Sequence, residues 1–216
     1  FVSLLPRPGG RLDVIWLDGR GMKDGAGQTA LMRATFGPDF EPGAEAALDP
    51  RTCDCCQTAA VAVGESALVA YRDRSEGELR DIAVVRLASN RVDSPTDLSR
   101  EGWEMNGCPV NGPAASAEGR DVAVAWFTGA GGRSLVRLAF SSDGGARFGA
   151  PLTVSDARPL GRVDVLAVAG GQAFVSWLER VGEGAELRLQ RFGADGAAGP
   201  ALTVATTSLA RQSGFP

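Results

Sequence analysis

Four short apolar segments, each built around one large aromatic residue, recur along the chain at nearly constant spacing. They are Val14-Ile15-Trp16-Leu17, Leu68-Val69-Ala70-Tyr71, Val122-Ala123-Val124-Ala125-Trp126-Phe127 and Ala173-Phe174-Val175-Ser176-Trp177-Leu178. The anchors Trp16, Tyr71, Trp126 and Trp177 are 55, 55 and 51 residues apart. Three anchors are preceded by an apolar run of small residues, at 58–63, 113–116 and 163–168, and a glycine-containing turn follows each run. Beyond the anchors, residues 30–34, 82–87, 135–140 and 187–192 alternate in character, as a half-buried strand does. Shorter fourth segments follow at 151–154 and 200–204. Each unit therefore predicts four short antiparallel strands bounded by Gly, Asp and Pro. No long stretch carries a clean 3.6-residue apolar period, so helices are minor at most.

A four-stranded unit recurring at about 50 residues is the pattern of propeller blades. The expected fold is all-β: a β-propeller of four-stranded antiparallel blades, with about four blades visible. The approximate repeats are 1–56, 57–111, 112–162 and 163–214, within a single propeller over 1–216. The anchors are expected to pack between neighbouring blades. Phe1 and Val2 read as already inside a first strand, and 215–216 as entering a further blade. On this reading the chain is a segment of a larger, six-bladed ring.

Composition narrows the chemistry. Hydrophobic residues make up 44% and charged residues 22%, the balance of a globular domain able to bury a core. The net charge of −4 and the absence of a basic stripe argue against nucleic acid as a partner. No apolar run reaches the ~18 residues that span a bilayer as a helix. Histidine is absent, which removes the commonest general base and any Ser-His or Cys-His pair.

Between the third and fourth strands of the third repeat stands Ser141-Ser142-Asp143-Gly144-Gly145-Ala146-Arg147-Phe148. This resembles the Asp-box, S-x-D-x-G-x-x-W/F, of sialidase-like (BNR-repeat) propellers. Gly193-Ala194-Asp195-Gly196 looks like a degenerate copy one repeat later. The resemblance implies a structural turn, with Ser141, Asp143, Gly145 and Phe148 as its key positions, and not an active site. Sialidases resemble one another in a trio of arginines, a Tyr nucleophile assisted by Glu, and an Asp acid/base. Their Arg-Ile-Pro start motif is missing here; the nearest string is Leu5-Pro6-Arg7-Pro8. Tyr71 is the only tyrosine and stands where tryptophan anchors the other repeats, which reads as core. Arg72 and Asp73 follow it and read either as ligand-facing residues or as a solvated pair at a turn.

The cysteines form a Cys53-Asp54-Cys55-Cys56 cluster, with Cys108 remote in sequence. Subtracting the 55-residue repeat places Cys108 on Cys53, so both loops enter first strands, which line a propeller axis. Three readings stand open. Two disulfides suit a secreted or periplasmic protein. Four thiolates suit tetrahedral zinc or soft copper, although C-x-C-C is not the paired C-x₂-C of a zinc knuckle. Free or redox-active thiols are the third. The loop around Cys108 is dense in turn formers, and its Asn111 is a candidate ligand contact at the channel mouth.

These features point to a non-catalytic, secreted or periplasmic propeller that binds a ligand or protein partner at its channel face. The alternatives are a sialidase-type glycoside hydrolase, a metal-binding or redox propeller using the cysteines, and a subunit of a larger assembly.

Overall fold

A computed structural model describes residues 1–23, 27–88 and 91–209; the expected strand entry at 215–216 lies outside them. Among the described residues there is no α-helix, only a 3-10 turn at Ala130–Gly132. Sixteen strands form four antiparallel four-stranded sheets, each a simple meander. The first sheet is β1 (Val2–Arg7), β2 (Arg11–Asp18), β3 (Thr29–Phe36) and β4 (Ala46–Thr52). The second is β5 (Ala59–Val63), β6 (Ser66–Arg72), β7 (Ile82–Leu87) and β8 (Thr96–Asp97). The third is β9 (Ala114–Glu118), β10 (Asp121–Thr128), β11 (Leu135–Ser141) and β12 (Leu152–Ser155). The fourth is β13 (Pro159–Val168), β14 (Gln172–Val181), β15 (Gly184–Gly193) and β16 (Leu202–Ser208). Four such blades make the fold of β-propeller type. They divide into two compact units, residues 1–112 and 113–216, with two blades in each.

Every aromatic anchor falls on the second strand of its blade. Trp126, Tyr71 and Trp177 are buried, and Trp16 is half-buried. In the first and fourth blades the indole N–H donates to the carboxylate two residues on, Trp16 to Asp18 at 2.9 Å and Trp177 to Glu179 at 3.0 Å. The pairing follows from strand geometry, since residues i and i+2 share one face. It also satisfies the one polar atom of an otherwise apolar anchor.

Within the first unit, the two blades share a core of Leu5, Ile15, Leu31, Leu48, Val69, Tyr71, Val85 and Leu87. Burying one such aliphatic side chain is worth roughly 1.5–3 kcal/mol. The first strands meet through Ser3, whose Oγ donates to the Thr58 carbonyl at 3.1 Å. Beside β1, the fully buried Asp13 carboxylate accepts bonds from Arg33 at 2.8 Å and Thr35 at 2.6 Å, and Arg7 lies 3.4 Å away. Arg7, from the string nearest to a sialidase start motif, is thus committed to an internal ion pair.

Within the second unit, the turn from Ser141 to Phe148 closes on its own backbone. Asp143 accepts from the amides of Ala146 and Arg147, both at 2.9 Å, and Ser141 Oγ accepts from the Gly145 amide at 2.9 Å. The Arg147 amide and Ser141 hold the Asp143 carboxyl below the usual carboxylate range. Gly144 and Gly145 take φ of 77° and 79°, where a side chain is strained. One blade later Asp195 accepts from the Ala197 amide at 2.9 Å, a simpler version of the same turn. The two turns flank a cleft of ≈ 610 Å³ that Asp121, Arg147 and Phe148 also line.

Candidate functional site: a pinned loop and a cysteine cluster

The second blade ends in the two-residue strand β8, and the chain then runs without strand or helix over residues 98–113. An irregular connection longer than about 12–15 residues is uncommon in a compact domain and is usually functional or disordered. This one is held at almost every step. Asp81 accepts from the amides of Gly102 at 2.9 Å and Trp103 at 3.2 Å. The Arg80 amide donates to the Trp103 carbonyl at 2.8 Å, and the Met105 amide to the Glu78 carbonyl at 3.0 Å. Gln57 clamps Gly112 from both sides, accepting its N–H at 2.9 Å and donating to its carbonyl at 3.3 Å. Only glycine fits there, because a Cβ on residue 112 would meet the Gln57 carbonyl at 2.0 Å.

Arg72 is the centre of this arrangement. It leaves the end of β6 fully buried, at 2% exposure, so it is neither a solvated turn residue nor a surface ligand contact. Its Nε donates to the Asn111 carbonyl at 2.8 Å and its Nη1 to the Arg80 carbonyl. Its guanidinium lies 4.7 Å from the centroid of the Trp103 ring, a cation–π distance. Asn111, also buried, contributes its backbone to the clamp. Burial lowers the Arg72 pKa, and the neighbouring sulfurs of Cys56 and Cys53 oppose that shift.

Asp73, the next residue, is half-buried, and its backbone pairs with Thr52 and Asp81. Burial pushes its carboxyl up to about 6, with the charges of Asp49 and Asp97 adding to the effect. Tyr71 is wholly buried, and its hydroxyl donates to Asp49. Burial, and then the Asp49 carboxylate, raise the phenol pKa, which is the opposite of activating it as a nucleophile.

The four cysteines do meet. Cys55 and Cys108 form a disulfide with Cα atoms 5.9 Å apart, tying the 53–58 loop to the pinned loop. Repeat alignment pairs Cys108 with Cys53, yet it is Cys55 that reaches it. Cys53 and Cys56 remain free thiols, 1% and 2% exposed, with sulfurs 3.2 Å apart. Cys53 Sγ is also 3.7 Å from Cys55 Sγ. Read as a pair, Cys53 and Cys56 have C-x-x-C spacing, hidden in the sequence by the intervening Cys55. The bond shared with Cys56 draws the Cys53 thiol down to about 6 against the cost of burial, aided by the Cys55 amide, Arg80 and Arg72. The same bond pushes Cys56 up.

Three sulfurs, of Cys53, Cys55 and Cys56, lie within 4.8 Å of one another, close enough to share a soft metal ion. With Cys55 bonded to Cys108, however, only two thiolates are on offer.

Trp103, Arg80, Asp81 and Gln57 are marked by no motif, and Gly112 reads only as one of the turn formers around Cys108. The signal that could have found them is the unusual length of the segment between β8 and β9.

Among the described residues, no helix is long and apolar enough to cross a membrane. No protein-family model and no curated protein matches the sequence. Solved structures do match. The chain is similar to an alpha-L-arabinanase of Penicillium chrysogenum complexed with arabinobiose, at 12% identity and a TM-score of 0.49, over 94% of this chain and 67% of that one. A glycosyl hydrolase of Bacteroides ovatus is similar at 10% identity and a TM-score of 0.48, over 94% and 70%. The sialidase of Trypanosoma rangeli is similar at 11% identity and a TM-score of 0.52, over 94% of this chain but 37% of that one. At this identity the sialidase likeness is one of fold: the chain is all-β and of propeller type, and it spans little more than a third of that enzyme's length.

Proposed function

We propose that the chain is a non-catalytic β-propeller segment that binds a ligand or a protein partner at the face formed by the 53–58 and 98–112 loops. The observation that carries this reading is the fixing of the long loop by Arg72, Asp81, Gln57 and the Cys55–Cys108 disulfide. A loop ordered before binding loses little conformational entropy when it binds. Its outward residues Glu104, Asn106 and Gly107 are exposed. The buried, deactivated Tyr71 supports recognition over hydrolysis. A disulfide supports a periplasmic or secreted location. Carbohydrate is the first ligand class to test, given the sialidase-like fold.

A sialidase-type glycoside hydrolase is the second reading. Asp73 favours it, because a carboxyl held near 6 keeps its proton close to neutral pH, as a general acid must. One experiment separates the two: the purified chain is applied to immobilised sialylated and arabinan glycans and incubated with fluorogenic aryl sialosides and arabinosides. Glycan retention without fluorophore release, weakened by Cys108→Ser, is the expected result. Fluorophore release that Asp73→Asn abolishes would establish the hydrolase instead.

A further inference from the structure

The four sulfur atoms differ in access, in an order that follows their contacts. Cys108 is exposed, Cys55 is half-buried, and Cys53 and Cys56 are buried. The separations between neighbours are a covalent bond from Cys108 to Cys55, 3.7 Å from Cys55 to Cys53, and 3.2 Å from Cys53 to Cys56. We propose that the four cysteines are a thiol–disulfide relay, in which the surface Cys55–Cys108 bridge exchanges with the buried Cys53/Cys56 pair.

The chemistry balances within the chain. The Cys53 thiolate attacks Cys55 Sγ; the Cys53–Cys55 bond forms, the Cys55–Cys108 bond breaks, and Cys108 leaves as a thiolate that takes a proton from water. Cys56 then loses its proton and attacks Cys53 Sγ. The Cys53–Cys56 bond forms, and Cys55 leaves as a thiolate that is protonated in turn. One disulfide and two thiols are present before and after, so no outside oxidant or reductant is consumed. Exchange of this kind proceeds through such mixed disulfides and needs a thiolate as the attacking group. The outcome is a dithiol at the surface, on the face of the pinned loop, available to an external thiol or disulfide.

Two features favour exchange over metal capture at this cluster. Histidine is absent from the chain, and among the described residues no carboxylate joins the three neighbouring sulfurs. Guanidinium ions of Arg80, Arg72 and Arg74 act on Cys53. Arg80 and Arg72 are buried; Arg80 Nη2 donates to Glu78 at 2.6 Å, while its Nε and Nη1 have no hydrogen-bond partner. Buried positive charge stabilises a thiolate and repels a metal cation.

The test is trapping with iodoacetamide on the folded chain, without reductant and with a chelator present, followed by peptide mapping. Cys56→Ser leaves three cysteines and therefore one disulfide and one thiol. The relay predicts that label accumulates on Cys108 while Cys53 and Cys55 become bridged. In Cys53→Ser the attacking sulfur is gone, and labelling of Cys108 is lost. Thermal melting confirms that each variant is folded. The wild-type chain isolated with two thiols supplies a second readout should a variant fail to fold: label on Cys55 and Cys108, with a Cys53–Cys56 bridge remaining. Label confined to Cys53 or Cys56, or absent from every cysteine, overturns the proposal.

Discussion

Arg72 Nε donates to the Asn111 carbonyl at 2.8 Å across 39 residues of sequence, and both residues are buried. The bond joins the end of β6 to the last turn of the long loop. Without the guanidinium, the carbonyls of Asn111 and Arg80 lose a charged donor, and Trp103 loses the cation over its ring. Arg72→Ala is therefore expected to destabilise the first unit by about 3–6 kcal/mol, from two hydrogen bonds to a charged donor at about 1.5–3 kcal/mol each. Arg72→Lys should recover little of this, because a single ammonium cannot reproduce the planar fork. Urea unfolding of the two variants measures both effects.

Tyr71 presents its hydroxyl to Asp49 from a wholly buried position. Tyr71→Phe keeps the apolar packing and removes one hydrogen bond to a charged group, an expected loss of about 1.5–3 kcal/mol. Glycan retention should be unchanged in the folded variant. A loss of retention with stability intact would place Tyr71 in recognition.

The strands were legible because their signal is local. An aromatic in an apolar run, repeated at 55, 55 and 51 residues, places β2, β6, β10 and β14. The weaker strands were not: β4 contains a proline and an aspartate, and β8 is two polar residues long. Both are held by their neighbours, a tertiary effect that leaves little local pattern. Arg72 was illegible for a different reason. Beside Asp73 it reads as one half of a solvated pair, yet two of the groups it binds are main-chain carbonyls, which carry no sequence signature. Proximity of Cys108 to the cluster could be read from repeat arithmetic, but the choice of Cys55 over Cys53 depends on loop geometry.

Asp73 gives a pH signature with a definite sign. Its folded pKa is raised from 3.8 to about 6, so the folded state holds the proton more tightly than the unfolded one. Its contribution to stability is then fully present below pH ~4 and lost as pH rises through ~6. Asp73→Asn should raise stability at pH 7–8 by on the order of 1–2 kcal/mol, allowing for partial exposure, and change it little below pH 4. Denaturant melts at pH 3.5, 5, 6 and 7.5 would expose the trend, and a variant equally affected at all four contradicts it.

The Cys55–Cys108 bridge closes a loop with a sequence separation of 53. Chain-entropy reasoning assigns such a cross-link about 2–4 kcal/mol. Cys108→Ala should lower unfolding stability by that amount. The effect should vanish when wild type and variant are compared under reducing conditions, and a difference that persists there would mean that the bridge is not its source.

In the proposed function, residues 98–112 form a surface built before any ligand arrives. Hydrogen exchange read by mass spectrometry on the unliganded chain tests it most directly. Slow exchange is expected for the amides of Gly102, Trp103, Met105 and Gly112, with protection falling in Arg72→Ala and on reduction of the disulfide. Exchange of this segment at the rate of an unstructured peptide, in the wild-type chain with its disulfide intact, would contradict the claim.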